Sequence, residues 1–403
     1  MARPPLLPLS PEIRASLFHF TVYSTSGAGA AYLGVWMAGH GISSGEIGIV
    51  NAAPVLVLLA LNLFVGRLAD KASDWRQMII LLAIVAGVAP LGFFVLTGFV
   101  GALLVWTLVA APSGAITPIL DAATLRMTER NGTSFGSIRG WGTLGSMAAT
   151  AATGVIVGRL GAEAFVPTLL VFALTRAALS LQLPRFRAPE RVPTVSAPRP
   201  VTPPIPRERL KLWFVLPIVA FALVQATHAI LNGFAALVWI NQGVPQGVVG
   251  LLLATSPAAE AVVMFFWRRM GLRVSARQMI LASCIATAVR WAAVALGPPV
   301  PVLFVLQAMH CVTFAVGYLG VVHFIANWTR EDVAAEMQSF SYVLQQGASV
   351  VGLSLFGWLA GPFGALAFFA SALLGIIGVV CVLVSLRLNP PRAAQAAMPL
   401  PQT

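Results

Sequence analysis

Two histidines follow glutamines at the same spacing in the chain, Gln225 with His228 and Gln307 with His310. Residues three apart lie on one face of a helix, and Asn232 extends the first face by one further turn. An imidazole exchanges a proton near neutral pH and can hydrogen-bond a carboxylate. The doubled pattern therefore predicts a site for a polar substrate and a proton. The alternative is that these residues are satisfied interior polar groups that stabilise helix contacts.

Other charged residues within the apolar runs are further candidates. Glu260 and Arg290 fall in consecutive runs, about 12 and 18 Å from the same predicted side of the membrane. A lone charge at that depth is unfavourable, so we expect the two to pair, either as a switch or as a structural brace. Asp121 is either a proton carrier or part of a gate with Asp70, which would meet Lys71 or Arg76.

The elements that position these residues are predicted to be membrane helices. Hydrophobic residues make up 58% of the 403-residue chain and charged residues 9%, against about 25% charged in soluble domains. Apolar runs of about 20 residues are long enough to cross a bilayer. We predict an all-α polytopic membrane protein with twelve such spans: 14–38, 44–66, 77–97, 101–126, 139–158, 164–183, 213–240, 244–267, 278–296, 301–327, 338–360 and 363–387.

The basic residues that give the chain its net charge of +12 are concentrated on one predicted side of the membrane. With both termini inside, all basic residues except Arg159, Arg176 and Arg290 fall in cytoplasmic segments. This is the positive-inside pattern, and it predicts a bacterial inner-membrane protein with both termini cytoplasmic. Because the charge is scattered over separate loops, we expect no nucleic-acid partner.

The chain contains an internal repeat around a proline- and arginine-rich linker. Residues 158–165 match 361–368 at an offset of 203, and residues 76–79 match 277–280 at an offset of 201. Two parallel six-helix halves around a central site are what alternating access requires. The predicted organisation is an N-terminal half (1–183), a cytoplasmic linker (184–212), a C-terminal half (213–390) and a cytoplasmic tail (391–403).

The segment between the second and third spans is Gly66-Arg67-Leu68-Ala69-Asp70-Lys71, which resembles the signature loop of the major facilitator superfamily. Ser73 departs from the glycine usual at that position. The chain is also similar to the phenylpropionate permease branch. The matching stretches are Val35-Trp36, Gly41-Ile42, Glu46-Ile47-Gly48, Arg139-Gly140-Trp141-Gly142, Gln225-Ala226-Thr227-His228, Ala259-Glu260, Val289-Arg290-Trp291 and Gln307-Ala308-Met309-His310-Cys311.

The resemblance implies that spans 1, 4, 7 and 10 line the cavity and that spans 3, 6, 9 and 12 are peripheral. It favours an inner gate for Asp121, with Gly66, Asp70, Lys71 and Arg76 as gate or structural residues. Aromatic residues on the first and fourth spans are candidates for the apolar wall of the substrate site: Tyr23, Tyr32 and Trp106.

We therefore expect a secondary active transporter that takes up a small, aromatic organic acid together with protons. The alternatives are uptake or efflux of a neutral solute, such as a nucleoside or drug, and a non-transporting receptor or scaffold. The Gly-x-Ser-x-Gly pattern at 132–136 falls in a short predicted loop, where it cannot form a hydrolase site. We expect no enzyme activity, no cofactor and no metal, with a lipid bilayer, a small molecule and protons as partners of a monomer.

Overall fold

A computed structural model describes residues 9–71, 74–133, 135–186, 211–266, 274–329 and 331–389. Within these ranges, the side chains of residues 30–31, 62–71, 129, 264–266 and 331–336 lie outside the description. Most of the predicted linker and the C-terminal tail also lie outside it.

The described residues form helices joined by short turns, and they contain no strand. Ten helices coincide closely with predicted runs: α1 (Pro11–Gly39), α2 (Ser44–Lys71), α3 (Trp75–Val88), α4 (Gly98–Asn131), α5 (Phe135–Leu160), α6 (Phe165–Ser180), α7 (Leu212–Asn241), α8 (Gln246–Phe266), α9 (Ala276–Ala295) and α13 (Phe368–Leu388). The tenth predicted span is divided into α10 (Val300–Ala308), a π-helical turn (Cys311–Val316) and α11 (Gly317–Trp328), and the eleventh is α12 (Glu331–Phe363).

Local sequence signals fix several helix ends. Ser10 caps α1 by accepting a hydrogen bond from the Ile13 backbone N–H at 3.2 Å, and Pro11 occupies a first-turn position where no backbone donor is needed. Ser275 and Gln278 form a reciprocal capping box at the start of α9. Gly132 ends α4 with a left-handed backbone, φ +66°, which a residue without a Cβ adopts without strain.

By length and composition, nine segments of the described residues could cross a membrane. The last of them, Met337–Leu388, contains both α12 and α13. Helices α1 and α5 fall outside these nine, since small and hydroxyl residues interrupt their apolar character. The all-helical membrane fold is confirmed, and the count of twelve spans stays a prediction.

Helix packing repeats between the two halves. Helix α1 packs against α5 and α6, as α7 packs against α12 and α13; α3 packs against α6, as α9 packs against α13. Contacts between the halves join α2 to α12, α5 to α8 and α1 to α7. The chain is thus built from two parallel helical repeats, although the residue boundaries of the predicted domains stay a prediction.

The apolar cores show that the halves meet at one end and separate at the other. One core combines residues of both halves, including Leu33, Val157, Phe234 and Leu252. It lies toward the end of the helix bundle that is opposite the start of α1. At the opposite ends, the N-terminal half has its own core around Phe18, and the C-terminal half has another, around Phe221 and Phe324. The molecule is closed at the side predicted to be external.

Candidate functional site

A polar network joins four helices of the C-terminal half. His228 on α7 has its Nε2 atom 3.0 Å from the Thr313 hydroxyl, which belongs to the π-helical turn. The rings of His228 and His310 meet edge to face with centroids 4.6 Å apart. The two histidines that the sequence pattern singles out are therefore direct neighbours, and Phe314 stacks on the His310 ring.

Helices α8 and α10 are connected by two polar contacts. The Ser256 hydroxyl donates to Gln307 Oε1 at 2.7 Å. One turn further along, the Glu260 carboxylate lies 3.5 Å from His310 Nε2, forming an ion pair when the imidazole is protonated. Glu260 and His310 are partly exposed, with 28% and 12% of their side chains accessible, whereas Gln307 is fully buried.

Arg290 is fully buried and donates to neutral groups. Its Nη2 lies 2.8 Å from Gln307 Oε1, its Nη1 lies 3.3 Å from the Thr313 hydroxyl, and its guanidinium group stacks on Trp291 at 4.7 Å. The predicted pairing of Arg290 with Glu260 is therefore wrong. Arg290 and Glu260 lie about one helical turn apart in depth. Arg290 contacts Gln307, and Glu260 contacts His310, one turn further along the tenth span.

Thr313 holds this network together, and sequence reasoning missed it. Its hydroxyl contacts both His228 and Arg290, while its backbone carbonyl accepts a hydrogen bond from Ser283 on α9 at 2.6 Å. The π-helical turn around it widens the helix locally, as such turns do at many functional sites. A single threonine in an apolar run gives no sequence signal of this role.

The predicted Gln-x-x-His faces differ in their surroundings. Gln307 joins the network, whereas the side-chain oxygen of Gln225 is buried without a hydrogen-bond partner in the described part of the chain. Asn232 lines a central cavity of about 210 Å³. This cavity lies where α2 and α4 meet α7 and α12, and its lining comprises Asn51, Pro54, Val55, Leu58, Trp106, Ala110, Ala229, Asn232, Gly233 and Leu353.

Of the three aromatic residues expected in the substrate wall, only Trp106 lines this cavity. The Tyr32 hydroxyl instead donates to the Gln246 carbonyl at 2.9 Å, joining α1 to α8 across the two halves. Tyr23 lies under the guanidinium group of Arg139 at 4.2 Å. Tyr23 and Tyr32 therefore do not line this cavity, contrary to the prediction, because their rings contact neighbouring helices.

The predicted gate residues are only partly described. Asp121 lies 3.4 Å from Arg139 Nε, at the start of α5, and Arg76 donates to the Leu183 carbonyl at 3.2 Å. The side chains of Gly66, Asp70 and Lys71 lie outside the described residues. The described partner of Asp121 is thus Arg139, which the sequence analysis did not assign to the gate, rather than Arg76.

No group of three or more metal-ligating side chains that could hold an ion occurs among the described residues. Arg176, for which the sequence suggested no role, is buried on α6 and donates to the Ser113 hydroxyl of α4 at 2.6 Å.

Two parallel helical repeats that close at one end and form a cavity between them are characteristic of secondary transporters. A sequence profile described as "MFS_1 like family" matches residues 12–384. The chain belongs to this family, and it is a transporter of the major facilitator type, not an enzyme.

Named relatives carry different substrates. The chain is 24% identical over 372 residues to the "Probable 3-phenylpropionic acid transporter" of Escherichia coli (strain K12), a match that covers 90% of this chain and 94% of that protein. It is 27% identical over 286 residues to the "Maltose permease" of Geobacillus stearothermophilus, covering 70% and 71%. The predicted family resemblance is confirmed.

Solved structures share the fold at low sequence identity. The nucleoside transporter NupG superposes with a TM-score of 0.78 at 15% identity, covering 95% of this chain and 100% of that chain. A D-xylose-proton symporter gives a TM-score of 0.68 at 12% identity, covering 96% and 98%. At these identities the comparison establishes the architecture alone.

Proposed function

We propose that this transporter takes up a small aromatic organic acid together with protons by alternating access. The observation that carries the proposal is the charge balance of the polar network. Buried Arg290 has neutral described partners, and the carboxylate in the network, Glu260, lies beside His310. When His310 is protonated the network carries a net positive charge, which favours an anionic substrate.

The proposed cycle uses proton exchange at His310 and Glu260. These two side chains are partly exposed, so they can exchange protons with solvent more readily than the buried His228 or Arg290. Protonated His310 attracts the substrate carboxylate, and release of both to the open side resets the site. His228 transmits the change because its ring contacts His310 and its Nε2 contacts Thr313.

The gate is part of the same proposal. Asp121 and Arg139 lie at the open end, and we assign them to the inner gate with Asp70, Lys71 and Arg76. Neutralising Asp121 is then expected to shift the balance between inward-open and outward-open states and to leave substrate selectivity unchanged. Loss of proton coupling with retained substrate exchange in Asp121→Asn would make this carboxylate the proton carrier instead.

A second candidate is transport of a neutral solute such as a nucleoside. The specific observation in its favour is the cavity itself, whose polar lining consists of the two amides Asn51 and Asn232. The fold likeness to a nucleoside transporter adds support for the architecture only. An uncharged solute would bind these amides without needing the histidine network.

Purified protein in liposomes tests both candidates. Labelled 3-phenylpropionate and labelled uridine are offered with and without an inward proton gradient. The proposal expects accumulation of the acid that depends on the gradient and disappears with a protonophore. Accumulation of uridine alone would establish the second candidate, and acid uptake that ignores the gradient would remove proton coupling.

We further propose that the protein is a monomer in the bacterial inner membrane with both termini cytoplasmic. The distribution of arginine supports this orientation. A cysteine at Asn131, the last residue of α4, is expected to react with an impermeant maleimide only after cell lysis. A cysteine at Gln242, in the α7–α8 turn, is expected to react in intact cells, and the reverse pattern would invert the topology.

A further inference from the structure

The central cavity differs from the polar network because its lining is largely apolar and uncharged. Its ten lining residues include no charged side chain. Trp106 provides one aromatic surface, and the remaining walls are aliphatic apart from Asn51 on α2 and Asn232 on α7. Whatever part of a substrate enters this space is therefore uncharged and largely apolar, with a position for one neutral polar group.

The two amides keep unused hydrogen-bonding capacity. Asn51 Nδ2 donates to the Ile47 carbonyl at 2.9 Å, which leaves its Oδ1 free to accept. Asn232 is exposed to the cavity and makes no side-chain hydrogen bond in the described part of the chain, so it offers both a donor and an acceptor. Its neighbour Gly233 lies against Asn51, since a Cβ there would be 3.5 Å from Asn51 Cγ. The amides of the two halves thus face the same small space.

A hydroxyl group on an aromatic ring fits this arrangement. It donates one hydrogen bond and accepts others, which matches the acceptor of Asn51 and the donor of Asn232. A ring without a hydroxyl would cover these amides and leave them unpaired, at a cost of about 1–3 kcal/mol for each buried polar group. The site would then discriminate against the unsubstituted ring.

The helix geometry gives the substrate an orientation. Asn232 lies four residues after His228 on α7, about 6 Å nearer the closed end. Ala229, which lines the cavity, directly follows His228. A substrate with its carboxylate toward the histidines would therefore place its ring beside Trp106 and the far edge of that ring near the amides.

We propose that Asn51 and Asn232 form a recognition site for a hydroxyl group on the ring of the transported acid. The proposal rests on the proposed function and names its substrate class more narrowly, as hydroxylated aromatic acids. Asn51 and Asn232 are specificity-determining residues that come from different halves. The ring hydroxyl would thus bridge the two halves of the transporter.

The test compares uptake of 3-(4-hydroxyphenyl)propionate and 3-phenylpropionate by proteoliposomes under the same proton gradient. The protein is expected to prefer the hydroxylated acid by about tenfold in kcat/KM, within the range that a hydrogen-bonding site provides. Asn51→Leu and Asn232→Leu are each expected to remove this preference, because they lower kcat/KM for the hydroxylated acid relative to kcat/KM for the parent acid. The matched control is Asn327→Leu, an exposed amide on α11.

The outcomes separate this inference from the proposed function. Proton-driven uptake of both acids with an unchanged ratio in the leucine variants overturns the hydroxyl site alone. Uptake of neither acid overturns both proposals. If the leucine variants fail to fold, Asn51→Ala and Asn232→Ala remove the amides with less added bulk, and an unchanged ratio in those variants overturns the inference.

Discussion

Each half of the transporter contains a buried arginine that donates to a hydroxyl group on its fourth membrane segment. Arg176 reaches Ser113 on α4, and Arg290 reaches Thr313 in the π-helical turn. Ser113 and Thr313 are separated by nearly the offset that relates the repeats. Both arginines lack an acidic partner among the described residues. Each half therefore buries one positive charge, which is compatible with the anionic substrate of the proposed function.

The contact of Arg176 with Ser113 leads to a stability prediction. Ser113→Ala removes the described side-chain acceptor of a fully buried guanidinium group, and the variant is expected to lose about 1–3 kcal/mol of stability. Thermal unfolding in detergent measures this as a lower Tm. Ser26→Ala is the matched control, because Ser26 donates only to the Val22 carbonyl of its own helix. Equal Tm shifts in the two variants would contradict a special role for the arginine contact.

The histidines lead to a functional prediction. His310→Gln removes the group that pairs with Glu260, and His228→Gln removes the ring that contacts His310. Each is expected to weaken substrate binding and to flatten the pH dependence of uptake, because glutamine cannot exchange a proton in this range. His323→Gln on α11 is the control. Unchanged binding and pH dependence in the double variant would leave both histidines with a packing role.

For individual residues, the sequence predicted which side chains belong to the polar network better than it predicted the residues that they contact. The repeated Gln-x-x-His spacing identified two rings that do meet, because helical periodicity places residues three apart on one face. The pairing of Glu260 with Arg290 failed because helix rotation and side-chain direction are tertiary properties. Asn51 carried no signal of its own, since an amide becomes informative only when the opposite wall of its cavity is known.

Among the elements, the tenth membrane segment departs most from regular geometry. Helix α10 ends at Ala308, the π-helical turn follows from Cys311 to Val316, and α11 begins at Gly317. The turn carries Thr313 and Phe314, and His310 lies directly before it. Since a π-helical turn is less stable than a regular helix, its persistence here is consistent with the polar contacts that Thr313 makes on both sides.

Thr313→Val tests the importance of this turn. Valine has the shape of threonine without its hydroxyl, so Arg290 and His228 each lose a partner while packing is kept. We expect uptake to fall at least about tenfold, the equivalent of about 1.4 kcal/mol for one good hydrogen bond to a charged group. Thr255→Val is the control, because its hydroxyl donates only to the Leu251 carbonyl at an exposed position. A similar effect in both variants would remove Thr313 from the mechanism.

The helices themselves were largely predictable. Long apolar runs with few charges have one stable solution in a bilayer, which is a helix that satisfies its own backbone. Predicted and observed helices therefore agree closely at α1, α7 and α9. The interruption of the tenth segment was not predictable, because residues 308–316 contain no proline or glycine and the turn is held by contacts with neighbouring helices.

At the scale of the whole molecule, the two halves act as separate bodies that share one closed end. The shared core lies at that end, and the other two cores are each confined to one half. Sequence repeats predicted the two halves, since matching segments with a constant offset must fold alike. The side on which they close could not be predicted, because a single sequence encodes both the inward-open and the outward-open states.

Close approach of glycines holds the closed end together. Gly250 on α8 lies against α5 so closely that a Cβ there would be 3.1 Å from the Thr150 carbonyl and 3.2 Å from Gly154 Cα. Both contacts are shorter than ordinary van der Waals distances, and they are made to backbone atoms that cannot turn aside. Any side chain at this position requires α5 and α8 to move apart.

Gly250→Leu is therefore expected to favour the state that is open at the external side. Three residues earlier, Gly247 has open space around its Cβ position, so Gly247→Leu places the same side chain on the same helix without a clash. Spin labels on cysteines at Ser43 and Gln242, which lie in turns of different halves at the closed end, measure the opening. We expect their distance to lengthen in Gly250→Leu and to stay unchanged in Gly247→Leu. Equal distances in the two variants would mean that the glycine contact does not control closure, and that the Tyr32 hydrogen bond to Gln246 and the shared apolar core suffice to hold the halves together.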